Sequence, residues 1–392
     1  MSKKILLVVI FILILFIPIG SIAGEGEIDS TGPGSQLLIP EETVIPDNNY
    51  YQGIVTEIIG NHYEEDEIIP VTDRFSQQVK VKILEGPDQN QILELSYNRG
   101  AVDQAEQTLK VGEKVLLIQT EIAGEKKYYI TDRYRLNKVI WLVLGFFILV
   151  FIFAGWKGLS SLLGLASTIA IIIWYILPRI IDGHNIYTTF LVGGFIITIV
   201  SIYLGHGLNR RTSVAVLSSL ITLTISIGIS ILAINWAKLF GLGTEEAFYI
   251  QVGALADLNL KGLLLGGMII GILGVLDDIT TAQSAAVEEI HKANPNLNFF
   301  ELVKRGLSVG HEHIISLVNT LALAYLGASF PLLLLFTQSY TPVWAILNSE
   351  QIIEEVVRTL VGSSALVFAV PITTYLAAYV FSKYSPKDPK TN

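Results

Sequence analysis

Apolar residues gather into long runs over most of this chain, and a single region instead alternates apolar with polar, residue by residue. A helix rising about 1.5 Å per residue needs about 20 apolar residues to cross a hydrocarbon layer of about 30 Å. Eight runs approach that length: Ile5–Ala23, Val139–Trp156, Leu159–Leu177, Ile186–Leu204, Ser213–Trp236, Gly262–Ala282, Ile314–Phe336 and Thr359–Phe381. The first has two readings. Lys3 and Lys4 precede a short apolar stretch ending at Pro18 and Gly20, with the small residues Ser21 and Ala23 at cleavage spacing, so residues 1–23 form either a signal peptide or an N-terminal anchor. Either way the next segment is exported, and 7–8 transmembrane helices are expected.

Residues 24–49 are acidic and rich in Gly and Pro, and read as a flexible linker. Residues 50–137 carry the strand pattern: Tyr50–Ile59; Val79, Val81 and Ile83 alternating with Lys80 and Lys82; the turn Gly86-Pro87-Asp88; then Ile92–Tyr97, Val115–Ile122 and Lys126–Ile130. Five short strands predict a small all-β, OB-like barrel. Residues 138–384 form the multi-pass domain, an all-α membrane bundle, and 385–392 a cytoplasmic tail. Within it, Thr244–Asn259 predicts an amphipathic surface helix or a re-entrant segment, with Phe248, Val252, Leu255 and Leu258 on one face behind a Thr244 cap. After the break Asn294-Pro295-Asn296 a second short helix is expected over Phe299–Leu307.

Composition sharpens this picture at three points. Only 16% of the 392 residues are charged, against about 25% in soluble domains, which supports the membrane reading. There is no cysteine, which excludes disulfides, thiol nucleophiles and Cys-ligated metals. The net charge of −9 divides into −11 for Gly24–Asn137 and +2 for the remainder, and with no basic or aromatic-basic stripe nucleic acid is not an expected partner. Eleven Lys and Arg near span ends fall on the side that holds the N-terminus and seven on the other, which places both termini in the cytoplasm and residues 24–137 on the outer face of the cell membrane.

The sharpest chemical signal lies in the sixth run. Its apolar part, Gly262–Leu276, has 15 residues, about 22 Å of helix, so Asp277 and Asp278 fall inside the membrane or at its cytoplasmic boundary. Asp277, Thr281, Ser284, Glu288 and His291 form one polar stripe. Ionisable groups at that depth cost about several kcal/mol unless they meet water or a partner, which marks them as functional candidates. In the plainer reading the stripe simply carries the helix out into water. Gly262, Gly266, Gly267, Gly271 and Gly274 read first as a helix-packing surface. The seventh run opens with His311-Glu312-His313, whose histidines point apart on a helix. His313, Asn319 and Thr320 are the further candidates of an ion or proton site, with Asn319 expected to bond to the Asp277 stripe. No P-loop, dinucleotide, nucleophile-elbow or H-E-x-x-H pattern occurs, so neither enzymatic chemistry nor a cofactor is expected, and whether the site takes a metal ion stays open.

The blocks Leu208–Thr212, Gly271–Gln283 (GILGVLDDITTAQ) and Val309–Tyr325 (VGHEHIISLVNTLALAY), followed by Phe330-Pro331-Leu332, resemble the YibE/F family of bacterial membrane proteins. The resemblance spans roughly Val139–Phe381 and implies a multi-pass protein of the cytoplasmic membrane with an exported N-terminal module. It supplies no activity. A weaker similarity links the Asp-bearing span to the exporters of the resistance-nodulation-division type and their SecD/SecF relatives, where a membrane carboxylate carries protons. The expectation is an ion- or proton-coupled transporter or translocation subunit; the alternative is a non-enzymatic assembly protein that recruits partners through its exported domain. Membrane lipid, an unidentified solute or ion, and a second YibE/F-type subunit or another copy of the chain are the expected partners.

Overall fold

The computed structural model describes residues 49–64, 74–99, 108–122, 125–253, 255–337 and 341–383. The expected signal or anchor, the acidic linker before Asn49 and the C-terminal tail lie outside the described residues. The chain divides into two compact units, residues 23–149 and 150–392 together with 1–22.

In the smaller unit the period-two pattern produces five antiparallel strands: β1 (Asn49–Glu64), β2 (Arg74–Ile83), β3 (Ile92–Arg99), β4 (Lys114–Ile122) and β5 (Glu125–Arg133), in the order β3-β2-β1-β4-β5. Val79, Val81 and Ile83 turn inward with Val55, Val115 and Leu117, while Lys80 and Lys82 stay on the other face. Strand β1 shifts register between Val55 and Glu57 and again between Ile58 and Gly60, which increases its twist and curls the sheet. At Gly53 a Cβ would lie 2.5 Å from Val81 Cγ1, so only glycine lets the two neighbouring strands close over the core there. Buried Gln77 takes the place of a ladder partner: its Nε2 donates to Leu109 O at 3.2 Å and its Oε1 accepts from Leu109 N at 2.8 Å. The edge strands β3 and β5 approach without a hydrogen-bonded ladder, so the expected closed barrel is a half-barrel with an open seam.

The larger unit is helical. Its elements are α1 (Leu136–Ile181, which starts in the smaller unit), α2 (Ile186–His206), α3 (Arg210–Trp236), α4 (Glu245–Val252), α5 (Leu260–Ala293), α6 (Phe299–Ala328), α7 (Phe330–Thr337), α8 (Val343–Leu347) and α9 (Glu350–Lys383). Asparagines cap four of them, Asn185, Asn209, Asn259 and Asn298, each side chain accepting from a backbone N–H of the first turn.

Five described helices are long and apolar enough to cross a membrane, or six if the pair α6 and α7, bent by 59° at Ser329, counts as one. Of the eight expected runs, the first lies outside the described residues, and the second and third fall on either side of the break in the 46-residue α1 where Gly155 adopts φ 59° and ψ −147°. The short helix expected over Phe299–Leu307 is instead the first part of the 30-residue α6, because the Asn298–Glu301 capping box starts it and nothing interrupts it before Ser329. The helix expected over Thr244–Asn259 shrinks to the eight residues of α4, which Thr244 does cap; Phe248 and Val252 are exposed while Leu258 packs on the bundle core.

Helix α5 lies at the centre, packed by α2, α3, α6 and α9. It runs parallel to α2 at a constant offset of 76 residues, so that Gly262 meets Ile186, Gly266 meets Phe190 and Asp277 meets Ser201. This alignment places Asp277 at a definable depth, because α2 ends at His206, five residues or about 7.5 Å past Ser201.

Candidate functional site

Helix α5 stays apolar from Leu260 to Leu276 and then presents Asp277 to the face of α2. Ser201 Oγ donates to Asp277 Oδ2 at 3.0 Å, while Oδ1 is buried and has no hydrogen-bond partner among the described residues. The carboxylate lines a cavity of about 350 Å³ between α1, α2, α3 and α5, whose polar wall includes Thr168, Thr198, Ser201, Ser219 and Asp278. Two of these hydroxyls return their proton to the turn before them: Thr198 Oγ1 donates to Gly194 O at 2.8 Å and Thr168 Oγ1 to Gly164 O at 3.2 Å, while Ser201 and Ser219 bond across to α5. Asp278 lines the same cavity but is otherwise exposed. His206, the last residue of α2, interacts electrostatically with both carboxylates. It also lines a second cavity of about 280 Å³ with Arg211, Thr212 and Thr281, one turn further along α5.

The rest of the polar stripe packs against protein. Thr281 Oγ1 donates to Asp277 O at 2.8 Å, buried Ser284 donates through Oγ to Arg211 O at 3.0 Å, and Glu288 pairs with Arg211 at 3.7 Å and Lys292 at 3.3 Å. These contacts fasten the lower part of α5 to the start of α3. Buried Gln283, which the stripe omits, joins three helices by donating through Nε2 to Gly306 O at 2.8 Å and to Thr374 Oγ1 at 2.7 Å.

Helix α6 does not bring its candidates to Asp277. Asn319, expected to bond to the α5 stripe, lines a different cavity of about 320 Å³ with Tyr325, Glu355 and Thr359. Thr320 is exposed and donates back to Ser316 O at 3.0 Å; His313 is half-buried and its Nδ1 has no partner. The reason is rotational: Ile314, Leu317, Val318 and Leu321 hold the bundle-facing side of α6. The glycines also divide. A Cβ at Gly262 would meet Ile186 at 2.9 Å, at Gly266 Phe190 at 2.0 Å and at Gly271 the Tyr325 hydroxyl at 2.8 Å, so these three serve packing. Gly267 and Gly274 have nothing within 4 Å, which corrects their assignment; Gly274 lies on the wall of the Asp277 cavity and keeps it open.

Thr168, Thr198, Ser201, Ser219 and His206 are absent from the candidates that the chain alone provides. The hydroxyls on α2 carried a usable signal in their spacing, since Thr198 and Ser201 share a face, but an isolated Ser or Thr in an apolar helix reads as local back-bonding.

Apolar helices of crossing length, packed around a carboxylate and a ring of hydroxyls, mark a membrane protein of the helical-bundle class. Residues 142–383 match the family described as YibE/F-like protein, and with more than half of its length covered the chain belongs to that family. No curated protein and no solved structure matches it.

Proposed function

We propose that the chain is an ion- or proton-coupled transporter or translocation subunit of the cytoplasmic membrane, with Asp277 as the group that takes up and releases the coupling ion. The observation that carries this reading is the pairing of a single Ser201 hydrogen bond with an unpartnered, buried Oδ1 on a carboxylate that lines a cavity inside an apolar bundle. A carboxylate kept there for structure alone would have its lone pairs filled by donors, as buried polar groups generally do. His206 at the end of α2 lines the second cavity with Arg211, Thr212 and Thr281, which supports an approach to Asp277 from the α2–α3 turn. That turn carries Arg210 and Arg211, which assigns it to the cytoplasmic side. The sheet unit then lies outside and the C-terminus inside. The reading is transport, with no covalent chemistry assigned.

The test is flux through the purified full chain in liposomes, with an inward-negative potential imposed by potassium and valinomycin and entry of protons and of radioactive sodium followed separately. Wild-type protein should conduct at least one of the two above empty liposomes, and Asp277→Asn should fall to the empty-liposome rate. An Asp277→Asn variant as fast as wild type would overturn the proposal.

A further inference from the structure

The protons of the hydroxyls around Asp277 are already committed. Thr168 and Thr198 donate theirs to Gly164 O and Gly194 O, and Ser201 donates to Asp277 Oδ2. Ser219 Oγ and Thr280 Oγ1 lie 2.8 Å apart; because Thr280 Oγ1 donates to Leu276 O at 2.7 Å, the hydrogen between the two hydroxyls comes from Ser219. A hydroxyl carries one O–H and two lone pairs, so all four turn only lone pairs toward the cavity. Among the described lining residues, Ser161 is the one hydroxyl whose proton has no acceptor. The polar part of the wall, Ser161 aside, therefore offers oxygen acceptors around a carboxylate that lacks a partner on Oδ1 among the described residues.

We infer that this cavity is a binding site for a small alkali cation of the sodium type, an assignment that rests on the transport reading and names its coupling ion. Hard monovalent and divalent cations take oxygen ligands, and an anion would meet lone pairs at all four of these hydroxyls and a carboxylate besides. Valence follows from the charge that is buried. Asp277 neutralises one positive charge; Asp278 reaches the same wall from an exposed position, where water screens it, and among the described residues no group of three His, Asp or Glu gathers as a multidentate divalent centre requires. A proton on Asp277 would use the lone pair of one neighbour; a cation uses several at once. Ser201 beside the carboxylate, with Thr198 from α2 and Ser219 from α3 on the same cavity wall, supplies oxygens, and a cavity of about 350 Å³ leaves room for water to complete the shell.

Radioactive sodium binding to the purified full chain tests this directly, with Thr198→Val and Asp277→Asn as variants. Thr198→Val keeps the side-chain volume and removes one oxygen, so it reports on the site even if the Asp277 variant folds poorly. Wild type should bind sodium saturably, with competition by lithium and none by choline; Thr198→Val should bind at least tenfold more weakly, and Asp277→Asn not measurably. Absence of sodium binding by wild type, or equal binding by both variants, overturns the inference. If sodium fails to bind while Asp277→Asn still abolishes proton flux, the cation assignment falls and the transport reading stands. If Asp277→Asn leaves both sodium binding and flux intact, the two fall together.

Discussion

Single residues on α5 divide sharply by what surrounds them, although the chain presents several as equals. Gly266 and Gly267 are adjacent and chemically identical, yet a Cβ on the first would lie 2.0 Å from two ring atoms of buried Phe190, and on the second would meet nothing within 4 Å. Overpacking of this kind costs about 1–3 kcal/mol. Gly266→Ala should therefore lower the thermal unfolding midpoint of the detergent-solubilised chain, while Gly267→Ala should leave it unchanged within about 0.5 kcal/mol. Spacing alone cannot separate such neighbours, because it fixes the face a residue occupies and not what lies across from it. The same limit governed the site. Asp277 was legible because a 15-residue apolar run is too short to bury itself without exposing or enclosing the acid that follows. Its partner Ser201 was not, since the offset of 76 residues that joins them arises from parallel packing of α2 and α5 and leaves no trace in either helix alone.

Elements were legible to the extent that period and punctuation speak locally. The strands follow their alternation, the Thr244 cap is where an acidic first turn places it, and α5 and α9 contain their apolar runs. What escaped was continuity: α6 passes through its polar beginning without a break. Sheet closure escaped as well, and one contact near the open seam has a measurable consequence. Tyr128 on β5 donates its hydroxyl hydrogen to Asp88 Oδ2, in the turn between β2 and β3. Burial, followed by this hydrogen bond, raises the Tyr128 phenol above its ordinary value. The sign of the linkage follows. Below the unfolded value of about 10 both states hold the proton and the contribution is whole; above it the unfolded chain sheds the proton while the folded sheet retains it, so stability falls as pH rises toward the folded value. Hydrogen exchange in the full chain should show β5 amides losing protection between about pH 9 and 11, beyond the intrinsic acceleration of exchange. Tyr128→Phe, with no proton to lose, should remove that extra loss while lowering protection at neutral pH.

At the scale of the whole molecule, direction is the property on which the proposed transport depends, and charge rather than packing bears on it. Lys157, Arg210 and Arg211 lie at one level of the bundle: Ser160 accompanies Lys157 and donates to Gly205 O at 3.0 Å, next to the α2–α3 turn that carries the two arginines. Lys292, Lys304 and Arg305 follow the other end of α5, beyond the level at which Ser284 reaches Arg211. Positive residues from three separate connections thus gather at a single end, the end that cytoplasmic retention of Lys and Arg assigns to the inside. On the proposed topology Asp277 lies about 7.5 Å in from the end of α2 assigned to the cytoplasm. Because the chain has no cysteine, single-cysteine reporters read this direction without background. In intact cells a membrane-impermeant maleimide should label Lys126→Cys in β5, and should label Lys304→Cys in α6 only after permeabilisation. Labelling of Lys304→Cys in intact cells would reverse the direction of entry to Asp277, and with it the assignment of the His206 cavity as the cytoplasmic approach.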